Sequence, residues 1–131
     1  MVEVELSRII IDEEKREQVI VLKEKTGSRF FPIVIGINEA IAIRVPLGGF
    51  ASPRPLTHDF ICSLIRTLEV RLEKVVIDKL VDNTFHAKLY LMTKDNEPKT
   101  IDTRPSDGIA LAVRMKSPLF VEEQVFDKLF Q

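Results

Sequence analysis

Two short segments of the chain hold most of the side chains whose types and spacing could do chemistry. They are Arg54-Pro55-Leu56-Thr57-His58-Asp59 and Arg104-Pro105-Ser106-Asp107. In both, an arginine precedes a proline, a hydroxyl residue follows, and an acid falls in the first turn of a predicted helix. A helix start offers free backbone N–H groups and a positive dipole end, and a guanidinium binds an oxyanion through two hydrogen bonds. The segments therefore predict phosphate binding by Arg54, Thr57, Arg104 and Ser106.

The same segments also have a purely structural explanation. A Ser or Thr cap followed by Asp in the first turn is usual at a stable helix start, where the carboxylate accepts hydrogen bonds from the free N–H groups. Each segment alone is typical of a cap beside a surface or ion-paired arginine, because motifs this short recur by chance. A shared functional site requires the two helix starts to lie side by side.

His58 is the candidate general acid or base, since histidine is the side chain that changes charge near neutral pH. The alternative is a histidine that hydrogen-bonds a loop carbonyl and holds the proline-rich segment. The predicted catalytic acids are Glu39, Asp59 and Asp107. These acids and Asp102 could also hold Mg²⁺ or Mn²⁺, although their spacing fixes no coordination geometry and capping or salt bridging explains each one. The lone Cys62 indicates neither a disulfide nor a zinc site.

Strands and helices must bring the two segments together. Val and Ile interleaved with charged residues predict strands at residues 1–11, 18–25, 29–35, 71–80, 84–93, 99–103 and 118–121. Pro32 places the third of these at a sheet edge or a bulge. Helices are predicted from Asn38 to Pro46, from Thr57 or Asp59, from Pro105, and over 122–130. The expected caps are Asn38 for the first helix, Thr57 or Asp59 for the second and Ser106 for the third, and residues 46–55 are expected to form a loop.

The second predicted helix has an apolar side and a polar side. The apolar stripe is expected to face the core, and its members are Phe60, Ile61, Leu64, Ile65 and Leu68. The opposite side, with Ser63, Arg66 and Thr67, is expected to face water.

One internal similarity bears on the fold. Residues 33–43 can be laid over 101–111, which makes Glu39 and Asp107 the acids that open equivalent helices. A duplicated unit of hairpin, strand and helix would explain the match, and so would chance similarity between two strand-to-helix corners. The prediction is one α+β domain over residues 1–131, with a mixed, largely antiparallel sheet and three to four helices.

The composition is that of an ordinary globular protein. Of 131 residues, 45% are hydrophobic and 30% charged, with a formal net charge of −1, so any DNA or RNA binding must come from a local basic patch. No apolar run approaches the ~20 residues of a membrane span, and Glu3, Glu5 and Arg8 lie where a signal peptide would be apolar. We therefore expect a cytoplasmic protein. Scarce Asn and Gln beside abundant Ile, Val, Glu and Lys follow the trend of heat-adapted proteins.

At these segments the sequence resembles the bifunctional nuclease domain family of small bacterial and plant proteins. The resemblance runs from about Phe31 to Val121. Its marks are Pro32-Ile33-Val34-Ile35-Gly36 followed by Glu39-Ala40, then Arg54-Pro55-Leu56-Thr57-His58-Asp59, and last Asp102-Thr103-Arg104-Pro105-Ser106-Asp107-Gly108-Ile109-Ala110-Leu111-Ala112. It implies an α+β domain that hydrolyses DNA and RNA backbones. The matching polar positions are Glu39, Arg54, Thr57, His58, Asp59, Asp102, Arg104, Ser106 and Asp107, with no individual roles implied.

Two functions therefore stand open. In the first, a phosphodiesterase, Arg54 and Arg104 hold the scissile phosphate, His58 moves the proton, and an acid orients His58 or supports a divalent ion. In the second, a non-catalytic module uses the same helix starts to bind a small anion or a partner, and it pairs with itself. The slightly acidic charge and scarce stacking aromatics favour the second. The apolar residues that suggest a homodimer, or else close the core, are Val125, Phe126, Leu129 and Phe130.

Overall fold

Val and Ile interleaved with charged residues form strands, and the capped apolar segments form helices, at the predicted places. The computed structural model describes residues 1–12, 14–48 and 52–131. Residues 49–51 of the expected loop, which include Gly49, lie outside the described residues. The strands are β1 (Val2–Ile10), β2 (Gln18–Glu24), β3 (Phe30–Ile35), β4 (Arg71–Val81), β5 (Thr84–Met92), β6 (Pro98–Thr103) and β7 (Leu119–Val121). The helices are α1 (Ile37–Leu47), α2 (Thr57–Thr67), α3 (Pro105–Met115) and α4 (Glu123–Leu129). The predicted α+β class is confirmed.

The strands make one sheet in the order β3-β2-β1-β7-β4-β5-β6. Neighbouring strands are antiparallel except β4 and β7, which are parallel. Each half of the chain contributes a three-stranded antiparallel meander followed by a helix, β1–β3 with α1 and β4–β6 with α3. This is the element order that the predicted duplication requires. Pro32 lies in the edge strand β3, as predicted, and there its missing N–H costs no hydrogen bond on the open side.

Helix α3 lies at the centre of the structure and fixes the start of the second Arg-Pro segment. Its residues Ile109 to Ala112 are buried, and it packs against α1, α2, β4 and β5. A Cβ built on Gly108 would lie 2.7 Å from Cγ1 of Val75 in β4, so only glycine permits this close approach. The position of the neighbouring Asp107 is therefore set by the packing of helix on sheet.

The terminal helix closes the core. Val125 and Phe126 of α4 are fully buried, and the Phe126 ring makes an edge-on contact with Phe31 at 5.6 Å between centroids. Of the apolar residues that suggested self-association, Phe130 alone is exposed by more than half. Within the described ranges, no helix has the length and apolar character needed to cross a bilayer.

The predicted orientation of α2 is wrong for most of its apolar stripe. Phe60, Leu64 and Leu68 are 61%, 49% and 63% exposed, whereas Cys62 is buried. Helix α2 packs on α3 and β4 with one side only, and Ile61 and Cys62 lie on that side. The wide apolar arc therefore extends beyond the surface that the core covers. Arg66 and the polar side face solvent, as predicted.

The predicted N-cap residues of α1, α2 and α3 are also wrong, and Leu56, not Thr57 or Asp59, precedes the first residue of α2. Gly36, not Asn38, precedes the first residue of α1, and Arg104, not Ser106, precedes the first residue of α3. Ser106 is buried as the second residue of α3, because that helix start is pressed against the sheet. Helix α1 also continues through Pro46 to Leu47, since a proline in the last turn removes only one hydrogen bond of the helix.

Candidate active site

One guanidinium joins the starts of α1 and α3. Nε and Nη2 of Arg104 donate hydrogen bonds to the two carboxylate oxygens of Asp107 at 2.9 and 3.2 Å. Nη1 of the same side chain donates to Oε1 of Glu39 at 3.1 Å. Arg104 remains 64% exposed while it makes these contacts. It is therefore held in one orientation by two acids and still faces solvent.

The third helix start enters the same cluster through His58. Nε2 of His58 lies 2.9 Å from Oδ1 of Asp107, and the imidazole is only 14% exposed. Burial acts to raise the pKa of Asp107, but hydrogen bonds from Arg104 and His58, together with their charges, outweigh burial and hold that pKa below its ordinary value. Asp107 is thus an ionised acceptor near neutral pH. We name the four contacting side chains, His58, Asp107, Arg104 and Glu39, the His58 cluster.

The carboxylate of Asp107 decides which ring nitrogen of His58 can act as a base. An ionised carboxylate only accepts hydrogen bonds, so Nε2 of a neutral imidazole must carry the proton that it shares with Asp107. The lone pair then resides on Nδ1. A histidine oriented in this way by an acid is the arrangement that general bases use. The loop-carbonyl role considered for His58 is replaced by a contact across 49 residues of sequence.

A cavity of about 480 Å³ lies beside the Arg104 end of the cluster. Glu39, Arg104 and Ser106 form its polar wall, while residues of β3 and Phe85 form its apolar wall. Gly36, at the position in the first unit that matches Arg104 in the second, lies in the same lining. A Cβ at Gly36 would come within 2.6 Å of Oε2 of Glu39, so the glycine leaves room for that carboxylate.

Asp59 points to a different partner from its neighbour His58. Its Oδ1 accepts a hydrogen bond from Nε of Arg114 at 2.7 Å, and its Oδ2 accepts one from the backbone N–H of Leu56 at 2.9 Å. The bond from Arg114, and next the one from Leu56, hold the pKa of Asp59 below its ordinary value. Asp59 is the third residue of α2, where its carboxylate accepts a hydrogen bond from the free N–H of the N-cap residue Leu56 and pairs with Arg114.

Sequence reasoning missed Arg114, which ties three helices together. Besides its bond to Asp59 in α2, its Nη1 donates to the carbonyl oxygen of Ala42 in α1 at 2.6 Å and to that of Ala110 in α3 at 3.0 Å. The carbonyl of Ala42 lacks its usual donor four residues on, because residue 46 is proline. The signal that could have identified Arg114 is this unsatisfied carbonyl, which requires a donor from outside its helix.

Of the other predicted phosphate ligands, Ser106 lines the same cavity as Arg104, but Arg54 and Thr57 do not. Arg54 lines a second cavity, together with Asp59 and Arg114. Thr57 is exposed as the first residue of α2, and Asp102 is exposed in β6 opposite Lys88. The structure brings together His58, Asp107, Arg104 and Glu39, and it places Arg54 and Arg104 in the linings of different cavities.

Among the predicted site residues, few side chains are placed so that they could bind a metal ion together. Within 1–12, 14–48 and 52–131, no three side chains of His, Cys, Asp or Glu are grouped closely enough to hold an ion. Glu39 and Asp107 both accept hydrogen bonds from Arg104. An ion at the His58 cluster would therefore depend on substrate oxygens as well as on these two carboxylates, as Mg²⁺ does in many phosphate-binding enzymes.

Comparison with known proteins places these residues in a family context. The family model described as bifunctional nuclease domain matches residues 20–130, and the chain belongs to this family. An uncharacterised protein of Mycobacterium tuberculosis (strain H37Rv) is 41% identical over 125 residues, which are 95% of this chain and 74% of that protein. Bifunctional nuclease 1 of Oryza sativa subsp. indica is 30% identical over 109 residues, which are 81% of this chain and 33% of the rice protein.

A second rice protein matches this chain over a similar length. Bifunctional nuclease 2 of Oryza sativa subsp. japonica is 27% identical over 118 residues, which are 88% of this chain and 36% of that protein. The chain thus spans about a third of the length of the two rice proteins. The family supports a nuclease at the level of activity class.

Proposed function

We propose that this member of the bifunctional nuclease domain family hydrolyses phosphodiester bonds of DNA and RNA at the His58 cluster. The observation that carries the proposal is the contact of 2.9 Å between Nε2 of His58 and Oδ1 of Asp107, beside a guanidinium that faces solvent. Catalytic bases of hydrolases are commonly oriented by an acid in this way. Asp59, which pairs with Arg114, serves as a positioning residue for the helix start that carries His58.

Each side chain has a separate task in the proposed reaction. Nδ1 of His58 accepts a proton from the attacking water as the water oxygen bonds to phosphorus. The P–O bond to the leaving part of the strand breaks, and the leaving oxygen takes a proton from solvent. Asp107 holds the ring in the required tautomer and stabilises the imidazolium that forms. Arg104 donates hydrogen bonds to the phosphate as negative charge develops on it. Glu39 accepts a hydrogen bond from Arg104 at 3.1 Å and thereby keeps the guanidinium at the edge of the cavity.

The charge of the cluster gives a reason to test divalent ions. With His58 neutral, one guanidinium stands against two carboxylates, so an approaching phosphate meets net negative charge. Mg²⁺ or Mn²⁺ is the proposed cofactor, with Glu39 and Asp107 as the residues that would hold it. A bound ion would neutralise phosphate charge. Purified protein should cleave DNA and RNA with either ion, and EDTA should abolish cleavage; full cleavage in EDTA would remove the metal from the proposal.

A non-catalytic module remains the second candidate function, and one observation favours it. Arg104 forms ion pairs with two carboxylates of its own chain. These carboxylates compete with a substrate phosphate for the guanidinium. In that case nucleotides or small phosphates would raise the melting temperature and no cleavage product would form. A time course of product formation measured beside the thermal shift separates the two functions.

A second copy of the chain is the proposed protein partner. Phe60, Leu64 and Leu68 recur at intervals of four residues along α2, and each is about half or more exposed. A contiguous apolar stripe that is exposed on a helix indicates a surface that binds another protein chain. In a dimer with twofold symmetry the stripe would meet its own copy, so one surface serves both subunits. The terminal helix is excluded as the main contact because Val125 and Phe126 lie in the core.

A further inference from the structure

The second cavity of the molecule is lined by an unusual number of cations. It has a volume of about 530 Å³ and lies between the end of the proline-rich segment, α2 and the last turn of α3. Its charged lining consists of Asp59, Arg54, Arg66, Arg114 and Lys116. Four positive side chains thus surround a single acid in a protein whose formal net charge is −1. This is the local basic patch that binding of a polyanion requires.

The acid in this cavity does not neutralise the three outer cations. Asp59 pairs with Arg114 at 2.7 Å. Among the ion pairs of the described residues, none involves Arg54, Arg66 or Lys116. These three side chains are exposed and free to bind. Like charges grouped without counter-charges attract an anion, and the repulsion between them is relieved when one binds.

Arg114 supplies an independent indication of a missing partner. Its side chain is only 6% exposed, and its Nη2 finds no hydrogen-bond acceptor among the described residues. Nearly all buried polar groups in folded proteins have a partner, and an unmatched charged donor is costly. Nη2 has almost no contact with solvent, so an anion oxygen in the cavity that Arg114 lines would reach it after a small shift of neighbouring side chains, and Arg114 also contributes its positive charge to that cavity. The hydroxyl residues Ser52 and Ser63 in the same lining could donate further hydrogen bonds.

We propose that this cavity is a binding site for one phosphate group, held by Arg54, Arg66, Lys116 and Arg114 and separate from the His58 cluster. Guanidinium groups suit phosphate because they donate paired hydrogen bonds to its oxygens. The volume exceeds what a single phosphate needs, so the attached part of a nucleotide can lie in the same space. The phosphate can be free or can belong to a nucleic-acid strand. The site does not require the proposed hydrolysis, since binding can be measured without turnover.

The test uses His58→Ala protein in EDTA, so that no substrate is consumed. Binding of inorganic phosphate is measured by calorimetry, and binding of a short fluorescein-labelled single-stranded DNA by anisotropy. The double variant Arg66→Gln/Lys116→Gln changes exposed side chains that make no internal ion pair. Arg8→Gln/Lys79→Gln removes one arginine and one lysine from exposed positions of β1 and β4, and it is the matched control for loss of two charges.

The Arg66→Gln/Lys116→Gln variant should bind at least one of the two probes about tenfold or more weakly, since the loss of one charged hydrogen bond weakens affinity by about that factor. The control, Arg8→Gln/Lys79→Gln, should bind as the parent does. Weaker binding of both probes identifies a site for the nucleic-acid backbone. Weaker binding of phosphate alone identifies a site for a free phosphate. Unchanged affinity for both probes in Arg66→Gln/Lys116→Gln, or a loss of the same size in the control Arg8→Gln/Lys79→Gln, overturns the proposal.

Discussion

Glu39 and Asp107 are each the third residue of a helix, in α1 and α3, and both accept hydrogen bonds from the guanidinium of Arg104. The two acids occupy equivalent places in the two meander-and-helix halves of the chain. Arg104 itself occupies the place that Gly36 has in the first half. The candidate site is therefore built where two similar strand-to-helix corners meet, and only one of them carries the arginine. His58, from α2, has no counterpart in this pairing.

Acid should weaken the fold partly through Asp107. Because its pKa is lower in the folded protein than the ordinary value of 3.8, ionised Asp107 stabilises the fold above that value. The contribution is complete above about pH 5 and disappears as the pH falls through the folded-state pKa. Urea unfolding across this range should therefore show a smaller loss of stability for Asp107→Asn than for the natural protein. Parallel curves for the two proteins would mean that Asp107 gains nothing from Arg104 and His58.

Arg114 should be coupled to Pro46. Arg114→Gln should lower the free energy of unfolding by about 2–4 kcal/mol, because a buried charged donor to Asp59 and to two carbonyls is lost. Pro46→Ala restores a backbone N–H four residues after Ala42. In that background the cost of Arg114→Gln should be smaller by about 1 kcal/mol, the worth of one hydrogen bond. Strictly additive effects in the double-mutant cycle would contradict this role of Arg114.

Gly108 should tolerate no side chain while Val75 is present. Gly108→Ala places a methyl group 2.7 Å from Cγ1 of Val75 and should destabilise the protein by about 1–3 kcal/mol. Adding Val75→Ala creates space for that methyl group, so the double variant should be more stable than the sum of the two single effects predicts. Chemical unfolding of the four proteins measures this. If Gly108→Ala is as stable as the natural protein, the close packing of α3 on β4 is refuted.

Self-association should depend on the exposed stripe of α2. Leu64→Glu places a charge in the stripe and should convert a dimer to a monomer of 15.0 kDa, because burying an unpaired carboxylate is costly. Thr100→Glu adds the same charge at an exposed position of β6, away from the stripe, and should leave the mass unchanged. Light scattering coupled to size exclusion measures both. A monomeric natural protein at micromolar concentration would rule out the homodimer.

Local sequence patterns predicted the elements of this fold, but not their orientations. The strands of the two meanders follow from Val and Ile alternating with charged residues, and the start of α3 follows from Pro105. The apolar periodicity of α2 could not indicate that Phe60 and Leu64 lie beyond the edge of the core, since periodicity describes the helix and not its surroundings. Whether these two side chains are covered depends on how far α3 and β4 extend beneath the helix.

The candidate site was predicted in its residue types and only partly in its grouping. His58, Asp107, Arg104 and Glu39 were all candidates, but the contact between His58 and Asp107 joins residues 49 positions apart, which no local pattern contains. Arg114 was missed because its bond to Ala42 spans 72 positions and depends on an N–H group that Pro46 lacks. Arg54 shared a motif with His58, yet it faces another cavity.

Cleavage by His58→Ala is the most direct measurement of the central claim. The chain has one other histidine, His86 in β5, so His86→Ala is the matched control, purified in the same way. With DNA or RNA and Mg²⁺ or Mn²⁺, His58→Ala should lose about a hundredfold or more of the cleavage rate, as expected for a general base, while its melting curve still shows a cooperatively folded protein. His86→Ala should cleave at the natural rate. Equal cleavage by all three proteins would indicate a contaminating nuclease and contradict catalysis at the His58 cluster.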